Sequence, residues 1–204
     1  MRHLLLSLIL WCCALTVSAQ TVNQVRQRVN TVAAQMKTME CDFVQTKTVR
    51  MLNSKLISRG KMYYQQTGKL RWQYLSPYQY TFVLNGNQVK LKSQGRNDVI
   101  NVEQNKMFKE ITRIMMNSVL GKCVDSSRDF KVALSGSGNN WKALMTPQSK
   151  TMKQMFQSIS VVFNYQRGTV SAVQLVEKNG DKTVIVLKNV KSNQPLHADL
   201  FSIR

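Results

Sequence analysis

The sequence is short of the groups from which most enzyme and metal sites are built. Its 204 residues include two histidines, four cysteines and ten acidic residues. No paired histidines and no CxxC occur at zinc-ligand spacing. A GxSxG elbow, a phosphate loop and a dinucleotide-binding glycine pattern are also missing. The acids are scattered. Glu40 and Asp42 alternate on a strand pattern, Asp125 and Asp129 fall in a loop pattern, and Glu103, Glu177 and Asp181 make no obvious carboxylate pair for glycan hydrolysis. His197, close to the C-terminus, reads as a lone surface histidine. No catalytic residue, metal or cofactor is assigned, and the chain is read as a non-enzyme. Past the first fifteen residues no apolar run is long enough to span a bilayer. A 43% hydrophobic and 19% charged composition excludes a disordered chain.

What is present begins with a leader. Met1-Arg2-His3 gives a positive start, Leu4 to Leu15 is apolar apart from Ser7, and Val17-Ser18-Ala19 supplies small residues at cleavage spacing. Residues 1–19 are expected to be a signal peptide cut after Ala19, leaving one domain over residues 20–204. Removing Arg2 takes the formal charge from +19 to +18. In an exported protein that charge points to anionic lipid head groups, acidic glycans or an acidic partner rather than to nucleic acid. The excess is strongest in the first third, at Lys47, Arg50, Lys55, Arg59, Lys61, Lys69 and Arg71. A solvated strand face is the plain reading of these. Two cysteines remain after processing, Cys41 and Cys123; an oxidising compartment permits one disulfide, and two buried free thiols fit equally well.

Periodicity divides the rest. Val22, Val25, Val29, Val32, Ala33, Met36 and Met39 recur at three- and four-residue steps, which predicts a helix from about Thr21. From Cys41 the period falls to two. Strand patterns follow at Cys41–Val49, Leu56–Gln66 and Lys69–Tyr74, then at Tyr80–Leu84, Val89–Leu91 and Val99–Val102, with turn signals at Asn53-Ser54, Thr67-Gly68 and Asn85-Gly86. Met107, Phe108, Ile111, Ile114, Met115 and Val119 line one stripe of a second helix that stops at Gly121. Five more strands are expected between Phe130 and Leu187, with a short helical turn within 147–156. About ten short strands joined by hairpins predict one large antiparallel sheet that curls, with both helices over its apolar face. The ten methionines beyond Met1 gather largely on the helical segments. They suit either an ordinary core or a cavity for ligands of variable shape.

The order of short motifs carries a resemblance. Phe43-Val44-Gln45 after an N-terminal helix, Gly60, Gly68-Lys69-Leu70-Arg71-Trp72-Gln73-Tyr74, Pro77 and Asn85-Gly86 come first. Leu144-Met145-Thr146-Pro147, Met152-Lys153-Gln154, Ile159 to Phe163 and Phe201-Ser202-Ile203 follow. In this order the chain resembles the periplasmic outer-membrane lipoprotein carrier family, LolA, over essentially its whole mature length. The resemblance implies a mainly β (α+β) fold, an incomplete antiparallel β-barrel with an N-terminal helix and a helical lid over an apolar concave face. It implies a monomeric periplasmic carrier that takes acylated lipoproteins from an inner-membrane release complex to an outer-membrane acceptor, with no nucleic acid bound. Phe43, Met62, Leu70, Trp72, Phe82 and Leu84 become candidate groove residues, and Met107, Ile111 and Met115 candidate lid residues. One departure stands out. Where the family often has an Arg-Pro pair whose arginine bonds to lid carbonyls, this chain has Gln66-Thr67, so closure at Gln66 is expected to be weaker or differently organised. Three other readings stay open: a carrier or sensor for another amphiphile such as a glycolipid, an envelope-glycan enzyme, and a basic protein bound to acidic polymers.

Overall fold

The computed structural model describes residues 21–66, 68–104 and 106–203, without the side chains of residues 106–108. The leader expected over residues 1–19 lies outside the described residues. The first helix, α1 (Val22–Gln35), begins where the sequence pattern places it. Thr21 accepts from the Gln24 backbone N–H at 3.3 Å while Gln24 Oε1 accepts from the Thr21 N–H at 2.8 Å, a reciprocal cap that satisfies two otherwise free donors. Val25, Val29 and Ala33 form its buried stripe. The predicted stripe overshoots at its end, because Met39 belongs to the first strand. There the chain is drawn straight by pairing on both sides, Met39 lying opposite Tyr64 and Ser192.

Eleven strands follow: β1 (Thr38–Val49), β2 (Ser54–Gln65), β3 (Lys69–Ser76), β4 (Tyr80–Asn85), β5 (Gln88–Ser93), β6 (Arg96–Asn101), β7 (Phe130–Ser137), β8 (Asn140–Pro147), β9 (Phe156–Asn164), β10 (Thr169–Glu177) and β11 (Lys182–Ser192). Between β6 and β7 runs the second helix, α2 (Lys106–Leu120), and before β9 a short third, α3 (Lys150–Met155). All eleven strands join one antiparallel sheet in the order β6-β5-β4-β3-β2-β1-β11-β10-β9-β8-β7. Every neighbour is a hairpin partner except at the centre, where the first strand pairs with the last. The sheet curls without closing, and β6 and β7 are its free edges. This is the mainly β, incomplete barrel that the motifs imply. Among the described residues no helix is long and apolar enough to cross a membrane.

Alternation along the strands sends one apolar set to the concave side. Met39, Cys41 and Phe43 of β1, Met62 and Tyr64 of β2, Leu70 and Trp72 of β3, and Ile159, Val161 and Phe163 of β9 or its neighbourhood join the α1 stripe in the core. The helix α2 ends at Gly121, whose φ of +76° is left-handed and whose added Cβ would meet Val29 and Phe163 at 3.1 and 3.2 Å. Gly60 serves closeness instead. Its missing side chain lets β3 and the Phe43 ring pack against it, since a Cβ there would lie 1.9 Å from the Gln73 carbonyl oxygen and 2.6 Å from the ring.

Cys41 and Cys123 are both free and buried, so the disulfide permitted by sequence is not formed between them. Cys41 sits mid-strand opposite Met62, and Cys123 lies just beyond α2 near Phe130 and Met145. Burial pushes each thiol up to about 12, with Asp42 and Glu40 adding to the effect at Cys41.

Two outcomes are expected. Gly60→Ala should destabilise the fold by about 3 kcal/mol or more in urea denaturation; a change under about 0.5 kcal/mol would contradict the close approach. Native protein at pH 8 should show no thiol reactive toward a colorimetric disulfide reagent, and two after unfolding. Because both folded-state values are raised, their contribution to stability is intact below the ordinary thiol range and is lost as pH climbs toward 12.

Candidate functional site

Two rows of side chains cross the middle of the concave face. Lys47, Thr183 and Leu175 lie directly opposite one another on β1, β11 and β10, and Gln45, Ile185 and Val173 form the next row. Trp72 and Tyr74 of β3 and Phe156 at the start of β9 complete the walls. Over them α2 lays Ile111, Ile114, Met115, Ser118 and Val119, a three-four spacing that keeps one face of the helix on the sheet. Together they bound a hollow of about 260 Å³. Ligand cavities usually hold roughly 300 Å³ or more, so with the helix in place the space accepts only part of a large apolar ligand. The roof's own side chains fill the remainder.

The hollow is apolar with a polar seam. The Tyr74 hydroxyl donates to Gln45 Oε1 at 3.0 Å. Burial raises the phenol above its usual range, against the opposing pull of Gln45 and of Trp72. Among the described residues, Trp72 Nε1–H stands beside that phenol without a formed hydrogen bond, and Ser118 Oγ is equally without a partner. Two buried polar groups therefore face the hollow unsatisfied, each at a cost that a ligand acceptor would offset. At one end Lys47 Nζ reaches Glu177 Oε1 at 3.1 Å and Asp181 Oδ2 at 3.9 Å, a charged rim on the mouth.

The roof is pinned from outside. Arg113, on the polar side of α2, bonds to Glu110 one turn back and to Asp129 Oδ2 at 2.6 Å, and Asp129 belongs to the loop before β7. Lys109 pairs with Glu103 in the 3₁₀ turn Val102–Gln104 that leads into the helix.

The residues singled out from sequence divide here. Trp72 lines the hollow, as do Ile111 and Met115 of the lid stripe. Phe43, Met62, Leu70, Phe82 and Leu84 do not; they are buried in the packed core. Phe43 supports the wall from behind, its ring 4.6 Å from Trp72 and 5.2 Å from Tyr74. The Met107 side chain lies outside the described residues. Gln66 stands exposed in the β2–β3 turn, where its backbone N–H donates to the Lys37 carbonyl at 2.6 Å. Among the described residues its side chain has no hydrogen bond to α2, whereas Arg113 joins that helix to Asp129. The floor residues Val173, Leu175, Thr183 and Ile185 were visible in sequence as alternating strand positions. Their meeting with Gln45 and Lys47 was not, because it depends on β1 pairing with β11.

The family model described as outer membrane lipoprotein carrier protein LolA matches residues 34–204. The outer-membrane lipoprotein carrier protein of Pseudomonas putida (strain GB-1) is 26% identical over 190 residues, covering 92% of this chain and 87% of its own. That of Legionella pneumophila (strain Corby) is 26% identical over 147 residues, covering 72% and 69%. Among solved structures, the Mycobacterium tuberculosis lipoprotein LppX overlays 87% of this chain and 97% of its own at 11% identity, with a TM-score of 0.49. With the family pattern running from the end of α1 through the last strand, the chain belongs to the outer-membrane lipoprotein carrier family, LolA.

Proposed function

We propose that this chain is a periplasmic carrier that shields the acyl chains of lipoproteins in the hollow beneath α2 and moves them from the inner to the outer membrane. The observation that carries the reading is the apolar floor of Val173, Leu175 and Ile185, roofed by a helix that fills the same space a ligand would take. Acyl transport through water needs such a device. At about 0.8 kcal/mol per buried methylene, a sixteen-carbon chain resists leaving lipid by roughly 12 kcal/mol. A carrier offers equivalent apolar surface and hides it when empty. Here Ile111, Ile114, Met115 and Val119 serve as the surrogate ligand. Cargo displaces them, and they return when cargo leaves. Such an exchange requires no bond to be made or broken, so the cycle runs on relative affinities among release complex, carrier and acceptor.

The polar seam refines the cargo. The unsatisfied Trp72 Nε1–H and Ser118 Oγ suit a carbonyl that accepts hydrogen bonds, as an acyl ester or amide linkage provides. The same seam also favours a second reading, a glycolipid or another acylated amphiphile on this scaffold. Mass spectrometry of lipid extracted from the purified chain separates the two: covalently acylated peptide supports the lipoprotein reading, and free glycolipid alone overturns it.

Titration with a fluorescent fatty-acyl probe should saturate at one site per chain. Leu175→Glu or Ile185→Glu should weaken uptake at least tenfold while the melting temperature stays within a few degrees, since both side chains are only half-buried. Unchanged uptake in both variants would remove the hollow as the site. Asp129→Asn should release the outer pin on α2 and tighten probe binding by up to about fivefold, the range of a surface ion pair. Weaker or equal binding would contradict the surrogate-ligand account.

A further inference from the structure

The β1–β2 hairpin carries a cluster of exposed apolar side chains. Met51 and Leu52 at its tip are 93% and 70% exposed, and Leu56 and Ile57 on the returning strand are 60% and 48% exposed. Leu56 lies opposite Lys47 and Ile57 opposite Thr46, so adjacent residues send apolar side chains to both faces of the ribbon. One edge of the hairpin is open. Pairing of β2 with β3 begins only at Arg59, leaving Ser54–Ser58 joined to β1 alone, while β1 stays paired with β11 as far as Thr48 and only the turn beyond it stands clear. Next to it, Leu75 near the end of β3 and Tyr78 of the β3–β4 connection are exposed at the same end of the sheet, flanking Ser76, the partner of Arg59.

Charge around the tip has one sign. From Phe43 to Asn97 the sequence holds no acidic residue. Arg50, Lys55, Arg59 and Lys182 are exposed and, among the described residues, form no ion pair. The nearby acids Glu177 and Asp181 are taken up by Lys47, and Asp181 also accepts from the Arg50 backbone N–H at 3.0 Å. An apolar tip within a collar of unpaired cations matches the layering of an anionic bilayer, with acyl boundary inside and phosphate outside.

We propose that this hairpin docks the chain on the surface of an anionic membrane, the tip entering the headgroup–acyl boundary and Arg50, Lys55, Arg59 and Lys182 engaging lipid phosphates. Apolar exposure on both faces selects a bilayer over a protein partner. A protein groove covers one face of a ribbon, whereas a lipid interface surrounds it. Position gives the contact a purpose. Leu56 stands opposite Lys47, which rims the mouth of the hollow, so docking would bring that mouth against the membrane and shorten the path of an acyl chain through water. The purpose rests on the carrier reading; the docking itself does not.

Flotation of the exported, processed chain with vesicles of 30% phosphatidylglycerol in phosphatidylethanolamine tests it, against vesicles of phosphatidylcholine alone. The wild-type chain should float with the anionic vesicles and at least tenfold less with the neutral ones. Met51→Asp combined with Leu52→Asp should lower anionic flotation at least tenfold while leaving acyl-probe uptake unchanged, which also certifies the fold. A Met51→Cys variant carrying an environment-sensitive dye should shift its emission to the blue on anionic vesicles; labelling is confined to that site because Cys41 and Cys123 are buried. Equal flotation of the double variant, or a dye that stays in water, overturns the proposal. So does a wild-type chain that takes up probe yet does not float, the result expected if the tip met a protein instead, and it leaves the carrier reading standing. A chain that floats but takes up no probe supports docking and removes the carrier reading.

Discussion

An open, curled sheet has an apolar inner face that water must not reach, and covering that face is the constraint on which the rest of this structure depends. Val173, Leu175 and Ile185 have paired strands on either side, but among the described residues no second sheet covers their inner face. A fully packed cover would give a stable but inert protein. The cover here is a single amphipathic helix that leaves about 260 Å³ beneath it and, among the described residues, the Trp72 Nε1–H and Ser118 Oγ without partners. On the proposed carrier reading, such a seal hides the apolar face when empty and lets an apolar ligand compete with it.

Phe43, Met62, Leu70, Phe82 and Leu84 are buried in the core along β1 to β4, where Gly60 lets the Phe43 ring and β3 close in. The hollow opens where Lys47, Glu177 and Asp181 form the rim and the β1–β2 hairpin extends past it. Arg113 and Asp129 join α2 to the loop before β7 by a partly buried pair, which on the carrier reading suits a roof that lifts.

Local signals in the sequence account for most of the fold. Hairpin turns at Asn85-Gly86 and Asn179-Gly180, the stripe ending at Gly121 and the cap at Thr21 all act within a few residues, so each could be read directly. Met39 was misread because its spacing from Met36 fits a helix, while its fate is decided by strands at Tyr64 and Ser192. The cavity was harder for the same reason. Aromatic residues of β1 to β4 draw attention as a groove, yet the floor forms where β1 meets β11, a pairing between residues some 140 apart in the chain that no local pattern records. The role of Gln66 was carried over by resemblance, whereas the pair of Arg113 with Asp129, which joins α2 to the loop before β7, is fixed only by tertiary placement. Cys41 and Cys123 likewise share a compartment but not a site.

Amide hydrogen exchange along the chain, with and without a triacylated lipopeptide, tests the central claim most directly. The account predicts faster exchange across Ile111–Val119 when lipopeptide binds, with β1, β10 and β11 as protected as before or more so. Binding of the lipopeptide with exchange in α2 unchanged would mean that the acyl chains lie elsewhere and that the helix is a fixed part of the core.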